Sequence, residues 1–418
     1  MRGLSPLEVR LVAALDARQS AMAQTVVDWA EINSGSRNLP GLALMADRIS
    51  ALVAPISDQI GILPPAEVKT LSDTGDEILV PHGNIVAASK RPALTRRIIL
   101  TGHMDTVFGL DDAFQQCRML ADGTLNGPGT ADMKGGLLVM IEALTALEAE
   151  GALDEIGWDI VINGDEEVAS LGSAHILREV AQRCQIGLTF EPSMTPEGTL
   201  ASARRGSGNF IAHVTGRSAH AGRNPEDGRN AIVAAADFAL QLAALGRQID
   251  GLSVNVARVS GGGPNNVVPD SASLSWNMRP VDGLAQARAE AGIATALAMV
   301  QAEHEVSIKI SGHFARPPKP FDARHQALFG LVKMAGEDLG QTIDWRPSGG
   351  VCDGNNIAAQ GVAVVDTMGV RGGAIHTDKE FLLLPSLSER AALAALTMSR
   401  LAEGRLEGAW QRAEMQHG

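Results

Sequence analysis

The chain has 418 residues, more than one ordinary hydrophobic core holds and enough for two domains. With 45% hydrophobic and 20% charged residues it has a soluble globular balance, and its formal net charge of −13 argues against nucleic acid, whose phosphates need a basic patch. Tyrosine is absent, which excludes a tyrosine acid or nucleophile.

In chain order, the N-terminal stretch "MRGLSPLEVRLVAALDARQS" carries charges throughout and no long apolar run. The reading is therefore of no signal peptide and no membrane span, with the cytoplasm as the expected location. Residues 6–32 and 40–55 read as amphipathic helices. Strand-like runs follow at 77–89 and 96–107, and "GGLLVMIEALTALEAEG" (135–151) is a helix stopped by Gly151. Residues 157–164 read as a buried strand, 173–184 as a helix and 186–193 as a short strand. This alternation indicates an α/β layer structure.

The pattern changes near residue 203. Strands at 209–216, 252–262, 271–280 and 305–314 interleave with helices at 230–245 and 283–303. That is β-α-β-β-α-β, the ferredoxin-like split arrangement. The expected plan is one discontinuous α/β domain (1–202 and 316–418) interrupted by an inserted domain (203–315). "ARPPKPF" (315–321) reads as the return hinge, since prolines stiffen linkers. Cys117, Cys184 and Cys352 are widely spaced with no CxxC pair, which suits a reducing compartment.

Chemistry-bearing residues fall at the strand ends. "INGDEEVASLGS" (162–173) places Asp165, Glu166 and Glu167 directly after a core strand. His103 and Asp105 end an earlier strand two residues apart, on one face if the strand persists. Taken alone, they read as a His–Asp hydrogen bond. Asp132 precedes a helix in "NGPGTADMKGG" (126–136), where an N-cap is the plain reading. Glu191 and His376 would each be a solvated loop residue. Together, two imidazoles and three carboxylates at one end of an α/β sheet suit two Zn²⁺ ions with a bridging carboxylate. Cations lying between and against the acids would explain why these acids are neighbours.

"GHMDTV" (102–107), "GPGTADMKGG" (127–136), "GDEEVASLGS" (164–173), "EPS" (191–193), "SAHAG" (218–222) and "HTDKEF" (376–381) occur in this order. In them the sequence resembles the dizinc metallopeptidases that include glutamate carboxypeptidase, acetylornithine deacetylase, succinyl-diaminopimelate desuccinylase and aminoacylase. The glutamate carboxypeptidase type is the nearest in layout. The resemblance implies a zinc-peptidase catalytic domain whose insert is a lid and dimerisation domain. It implies that His103 and Glu191 hold one zinc, Glu167 and His376 the other, and Asp132 bridges them, with Co²⁺ or Mn²⁺ as possible substitutes. Asp105 would orient His103, and Glu166 would be the general base.

The same resemblance implies hydrolysis of an amide in a small peptide or N-acyl amino acid that carries a carboxylate. His220 matches a family histidine that reaches across a homodimer interface. Asn266 and Arg279 match residues that hold the substrate carboxylate, a task suited to a planar guanidinium. "SGGVCDGNN" (348–356) resembles a substrate loop, keeping Asp353 but replacing its hydroxyl residues with Val351 and Cys352. Cys352 reads as a buried inert thiol. The leading expectation is an exopeptidase releasing a C-terminal amino acid. The alternatives are a deacylase of acetylornithine or succinyl-diaminopimelate type and a non-catalytic metal-binding scaffold.

Overall fold

A computed structural model gives the fold, and the structure describes residues 3–120 and 122–410. Its centre is a mixed six-stranded sheet. The order across it is Gln59–Leu63, Ile85–Lys90, Gly157–Asn163, Arg97–His103, Ile186–Thr189 and Ala363–Val365. The last four run parallel, and the first two pair antiparallel. Strands Arg97–His103 and Gly157–Asn163 are buried at every position, as parallel strands covered on both faces must be.

Side-chain alternation builds two cores from one sheet. Ile98, Leu100, Ile160 and Ile162 face a helical layer made by Pro6–Ala30, Gly135–Ala149 and Ser386–Ala402. Ile99 and Val161 face the other way, against Leu177 and Ile357 of helices Ala174–Ala181 and Asp353–Ala358. Helix Pro6–Ala30 starts with a Ser5/Glu8 capping box, as its sequence dictates.

Residues 207–316 make the second unit. Its antiparallel sheet has the order Leu252–Gly261, Ser271–Pro280, Ser207–Thr215, Ser307–Arg316. Helices Ala231–Gln248 and Gly283–His304 cover one face, burying Phe210, Ala212, Val214, Leu274, Trp276 and Met278. The alternate residues Asn209, Ile211, Ser275, Asn277 and Arg279 therefore point to the opposite face.

Two differences from the sequence reading have physical causes. The run at 77–89 is two strands, Glu77–Leu79 and Ile85–Lys90, separated at Pro81, which cannot donate to a ladder. Helix Ser386–Ala402 is a further element that is buried almost all round, its polar residues Ser388, Arg390, Thr397 and Arg400 included, so its sequence marks no solvent face. The stretch Leu39–Ile56, read as an amphipathic helix over 40–55, is by length and composition alone also apolar enough to cross a membrane. It includes Asp47 and Arg48, and Leu42, Met45, Ala46, Ile49 and Val53 are committed to the core.

Candidate metal centre and active site

The parallel strands deliver their carboxyl ends to one place. His103 closes one strand, Glu166 and Glu167 form a turn after the next, and Glu191 follows a third. Pairing of Thr124–Asn126 with Phe381–Leu383 brings the loop of Asp132 beside the loop of His376. The result is two groups of ligand-type side chains, His103/Asp132/Glu191 and Asp132/Glu167/His376. Within each group the offered atoms lie within 4.8 Å of one another.

Asp132 belongs to both groups. Its Oδ1 is 3.1 Å from His103 Nε2 and its Oδ2 is 3.1 Å from His376 Nε2. It is not an N-cap, because Lys134 occupies that position of the following helix. Glu191 Oε2 lies 3.7 Å from His103 Nε2, and Glu167 Oε2 lies 3.3 Å from His376 Nε2. On the far side of the His103 ring, Nδ1 is 3.0 Å from the Asp105 carbonyl and 3.4 Å from its carboxylate. That contact directs Nε2 inward, as ligating histidines require.

Asp105 also fixes the neighbouring turn. Its carboxylate accepts the backbone N–H of Glu166 at 3.1 Å and of Glu167 at 3.2 Å. It further accepts the Ser36 hydroxyl at 2.7 Å. One buried acid thus aligns a histidine on one strand and two glutamates after another.

The electrostatics favour cations. Burial disfavours charge on His103, yet Glu191, Asp105 and Asp132 hold its imidazole well above the usual range. Hydrogen bonds to Asp132 and Glu167 raise His376 to about 11. Burial lifts Glu167 to about 7, with repulsion from Asp132 adding to it. It also raises Glu191, and it pushes Glu166 well above the carboxylate range against the pull of Arg316. Asp132 goes the other way: hydrogen bonds from both histidines outweigh its burial. Buried acids that bind histidine charge this strongly, around a shared carboxylate, fit a pair of divalent cations.

Residues outside the expected set complete the site. Arg316, 1% exposed, donates to Glu166 Oε1 and to Asp353 Oδ1, each at 2.6 Å. Arg204 donates to Asp366 Oδ2 at 2.6 Å, and Lys319 stands 3.3 Å from the same oxygen. Glu380 accepts the backbone N–H groups of Gly129, Ala131 and Asp132 at 3.2, 2.9 and 3.0 Å, which pins the loop of the shared ligand. Burial raises Glu380 to about 8.

Other expectations change. Asp165 is not part of the cation cluster. It is turned away to His82 at 3.1 Å, the Ser173 hydroxyl and the Gly172 N–H. Asp353 does not line the cavity; it is 1% exposed and bonded to Arg316, Ser170 and Asn163. His220 and Asn266 are exposed and lie outside the cavity of their own chain. Arg279 does line it. Cys352 is buried beside Asp366 with its thiol pushed well above the usual range by burial, which suits an inert thiol.

The cavity has a volume of about 760 Å³ and is bordered by Asp132, Glu166, Glu167, Glu191 and His376 together with Arg204, Arg279 and Arg316. Residues 99–400 match the profile of peptidase family M20/M25/M40. The chain belongs to that family.

This M20-family chain is 28% identical over 408 residues to carboxypeptidase G2 of Pseudomonas sp. (strain RS-16), covering 94% of this chain and 92% of the relative. It is 28% identical over 289 residues to succinyl-diaminopimelate desuccinylase of Psychrobacter sp. (strain PRwf-1), covering 65% and 70%. Aminopeptidase PepT of Bacillus cereus ATCC 10987 shares the fold with a TM-score of 0.69 at 24% identity, over 92% of this chain and 99% of that one. Bacillus subtilis YXEP, described as a dinuclear metal-binding peptidase of the M20 family, superposes with a TM-score of 0.62 at 16% identity, over 93% and 99%. As a member of this family, the protein is a hydrolase of peptide or amide bonds.

Proposed function

We propose that the protein is a dizinc exopeptidase of glutamate carboxypeptidase type, removing a C-terminal amino acid from a peptide or N-acyl amino acid. The observation that carries this reading is Arg279. It lines the catalytic cavity and makes no ion pair among the described residues. Its Nε donates to Asn277 and its Nη1 to the Gly349 carbonyl, each at 3.0 Å. A cation held by neutral partners at the rim of a cavity is an anchor for a substrate carboxylate.

His103, Asp132 and Glu191 would hold one zinc, and Asp132, Glu167 and His376 the other. When bound, such ions polarise a carbonyl and make water acidic enough to attack near neutral pH. Glu166 handles the protons. Arg316 fixes its Oε1 at 2.6 Å, so the proton travels on Oε2. The carboxylate takes a proton from the attacking water and passes it to the leaving amine nitrogen. Its upward-shifted proton affinity suits both halves of that task. Water adds OH to the acyl carbon, the C–N bond breaks, and the amine leaves with the proton.

His220 and Asn266 enter the same reading as residues supplied by the partner in a homodimer formed through residues 207–316. Their exposure and their distance from the cavity of their own chain support this. The function is tested by a hydrolysis screen of zinc-loaded protein. N-acyl amino acids with a free carboxylate should be cleaved, and the corresponding carboxamides poorly. Preference for N-succinyl or N-acetyl groups regardless of the released amine would favour the deacylase alternative.

A further inference from the structure

A second cavity, of about 500 Å³, adjoins the catalytic one. The two share Val168, Ala169 and Asn209, so the turn that carries Glu166 and Glu167 walls both. The second cavity lies between strand Lys69–Leu71 and the uncovered face of the inserted sheet, where Ile211, Ala257, Ser275 and Asn277 border it. Its size is in the range of small-molecule pockets and far exceeds what a methyl group fills.

We propose that this cavity receives the side chain of the amino acid released, and that the side chain is bulky and uncharged. The inference rests on the carboxypeptidase reading above and sharpens it. Arg279 is bound through Asn277 Oδ1 at 3.0 Å, and Asn277 in turn donates to Asn209 Oδ1 at 2.8 Å. Both asparagines border the second cavity. A carboxylate sits about 2.8 Å from a guanidinium nitrogen, and Cβ is two C–C bonds of about 1.5 Å further on. The side chain of a residue anchored on Arg279 can therefore start beside Asn277 and Asn209, both of which border the second cavity.

Charge sets the chemical class. The titratable side chains at the second cavity, Glu67, Lys69 and His313, are all exposed, and Lys69 is 3.3 Å from Glu67. Among the described residues no arginine borders this cavity, whereas three border the catalytic one. An acidic side chain entering here would lose water without gaining a buried counter-charge. An aromatic or large aliphatic one would leave water for an apolar wall.

The test uses zinc-loaded full-length protein and N-acetyl amino acids that differ only in the released residue: phenylalanine, tryptophan, alanine and glutamate. The expected result is kcat/KM at least tenfold higher for phenylalanine or tryptophan than for alanine and glutamate. Ser275→Trp and Ala257→Trp fill the cavity from two different strands, and each should reduce the phenylalanine-to-alanine ratio at least tenfold. Equal rates across the series, a preference for glutamate, or a ratio unmoved by both variants would overturn this inference while leaving amide hydrolysis intact. Failure to cleave any member, or any peptide, would overturn the parent reading as well.

Discussion

The carboxyl end of the central sheet and the inner face of the inserted sheet border one cavity, yet they handle charge in opposite ways. At the central sheet the buried arginines that border the cavity are paired with buried acids. Glu166 has Arg316, Asp366 has Arg204 and Lys319, and the ligand-type acids share two histidines. On the inserted sheet, Arg279 has only neutral partners. Matched charge marks groups the fold itself must hold in place. An unmatched cation on the wall of the catalytic cavity marks a place kept for something that arrives.

The sharpest way to break this comparison is to remove a catalytic group that the fold does not need as a ligand. Glu166→Ala should lower kcat by about 10²–10⁴-fold, the usual worth of general acid–base catalysis, while metal content stays unchanged. Near-normal kcat would assign the proton transfer elsewhere.

Next comes the matched charge itself. Asp366→Asn leaves Arg204 and Lys319 buried without their carboxylate, and should cost about 3–5 kcal/mol of stability in denaturant unfolding. The two cations outweigh burial and hold the Asp366 carboxyl below its usual range. Its contribution is therefore present above about pH 4, the unfolded value, and is lost as pH falls through the folded value. The asparagine variant should lack that acid-side loss. A wild-type and variant pair with parallel stability profiles between neutral and acid pH would contradict the assignment.

The unmatched cation should behave differently. Arg279→Ala should leave stability within about 0.5 kcal/mol, as substitutions away from core features do. It should raise KM for carboxylate substrates about 10–100-fold, in line with losing one charged hydrogen-bonding partner. Equal losses on a carboxylate and its carboxamide would contradict the anchor role.

The smallest effect tests the residues that lie outside their own cavity. Mixing Glu166→Ala chains with His220→Ala chains should restore up to about a quarter of wild-type activity, by forming one intact site in mixed dimers. Mixtures no more active than their separate components would place His220 outside catalysis.

The legibility of the molecule follows the same division. The grouping of the candidate ligand residues was readable because histidine and carboxylates at successive strand ends suit one common use, and the sheet topology brings strand ends together. The βαββαβ order was readable from clean alternation in strands such as Ser271–Pro280. Arg316 was not, since an arginine in "ARPPKPF" looks like a solvated hinge residue until the fold buries it against Glu166. Glu380 stood in plain view four residues after His376, but its job is to accept backbone N–H groups from residues 129–132, which no local pattern announces. Asp165 shows the reverse error. Adjacency in sequence suggested a shared role with Glu166 and Glu167, whereas the turn after the strand sends its side chain to His82 and Ser173.

The central claim is that one carboxylate, Asp132, joins two cation sites. Metal analysis of purified protein after exhaustive dialysis, with the Asp132→Asn variant beside it, tests this most directly. The account predicts two zinc ions per chain for the unaltered protein, one for each ligand group, and at most one for the variant. Full activity in metal-free protein, or two tightly held ions in Asp132→Asn, would contradict it.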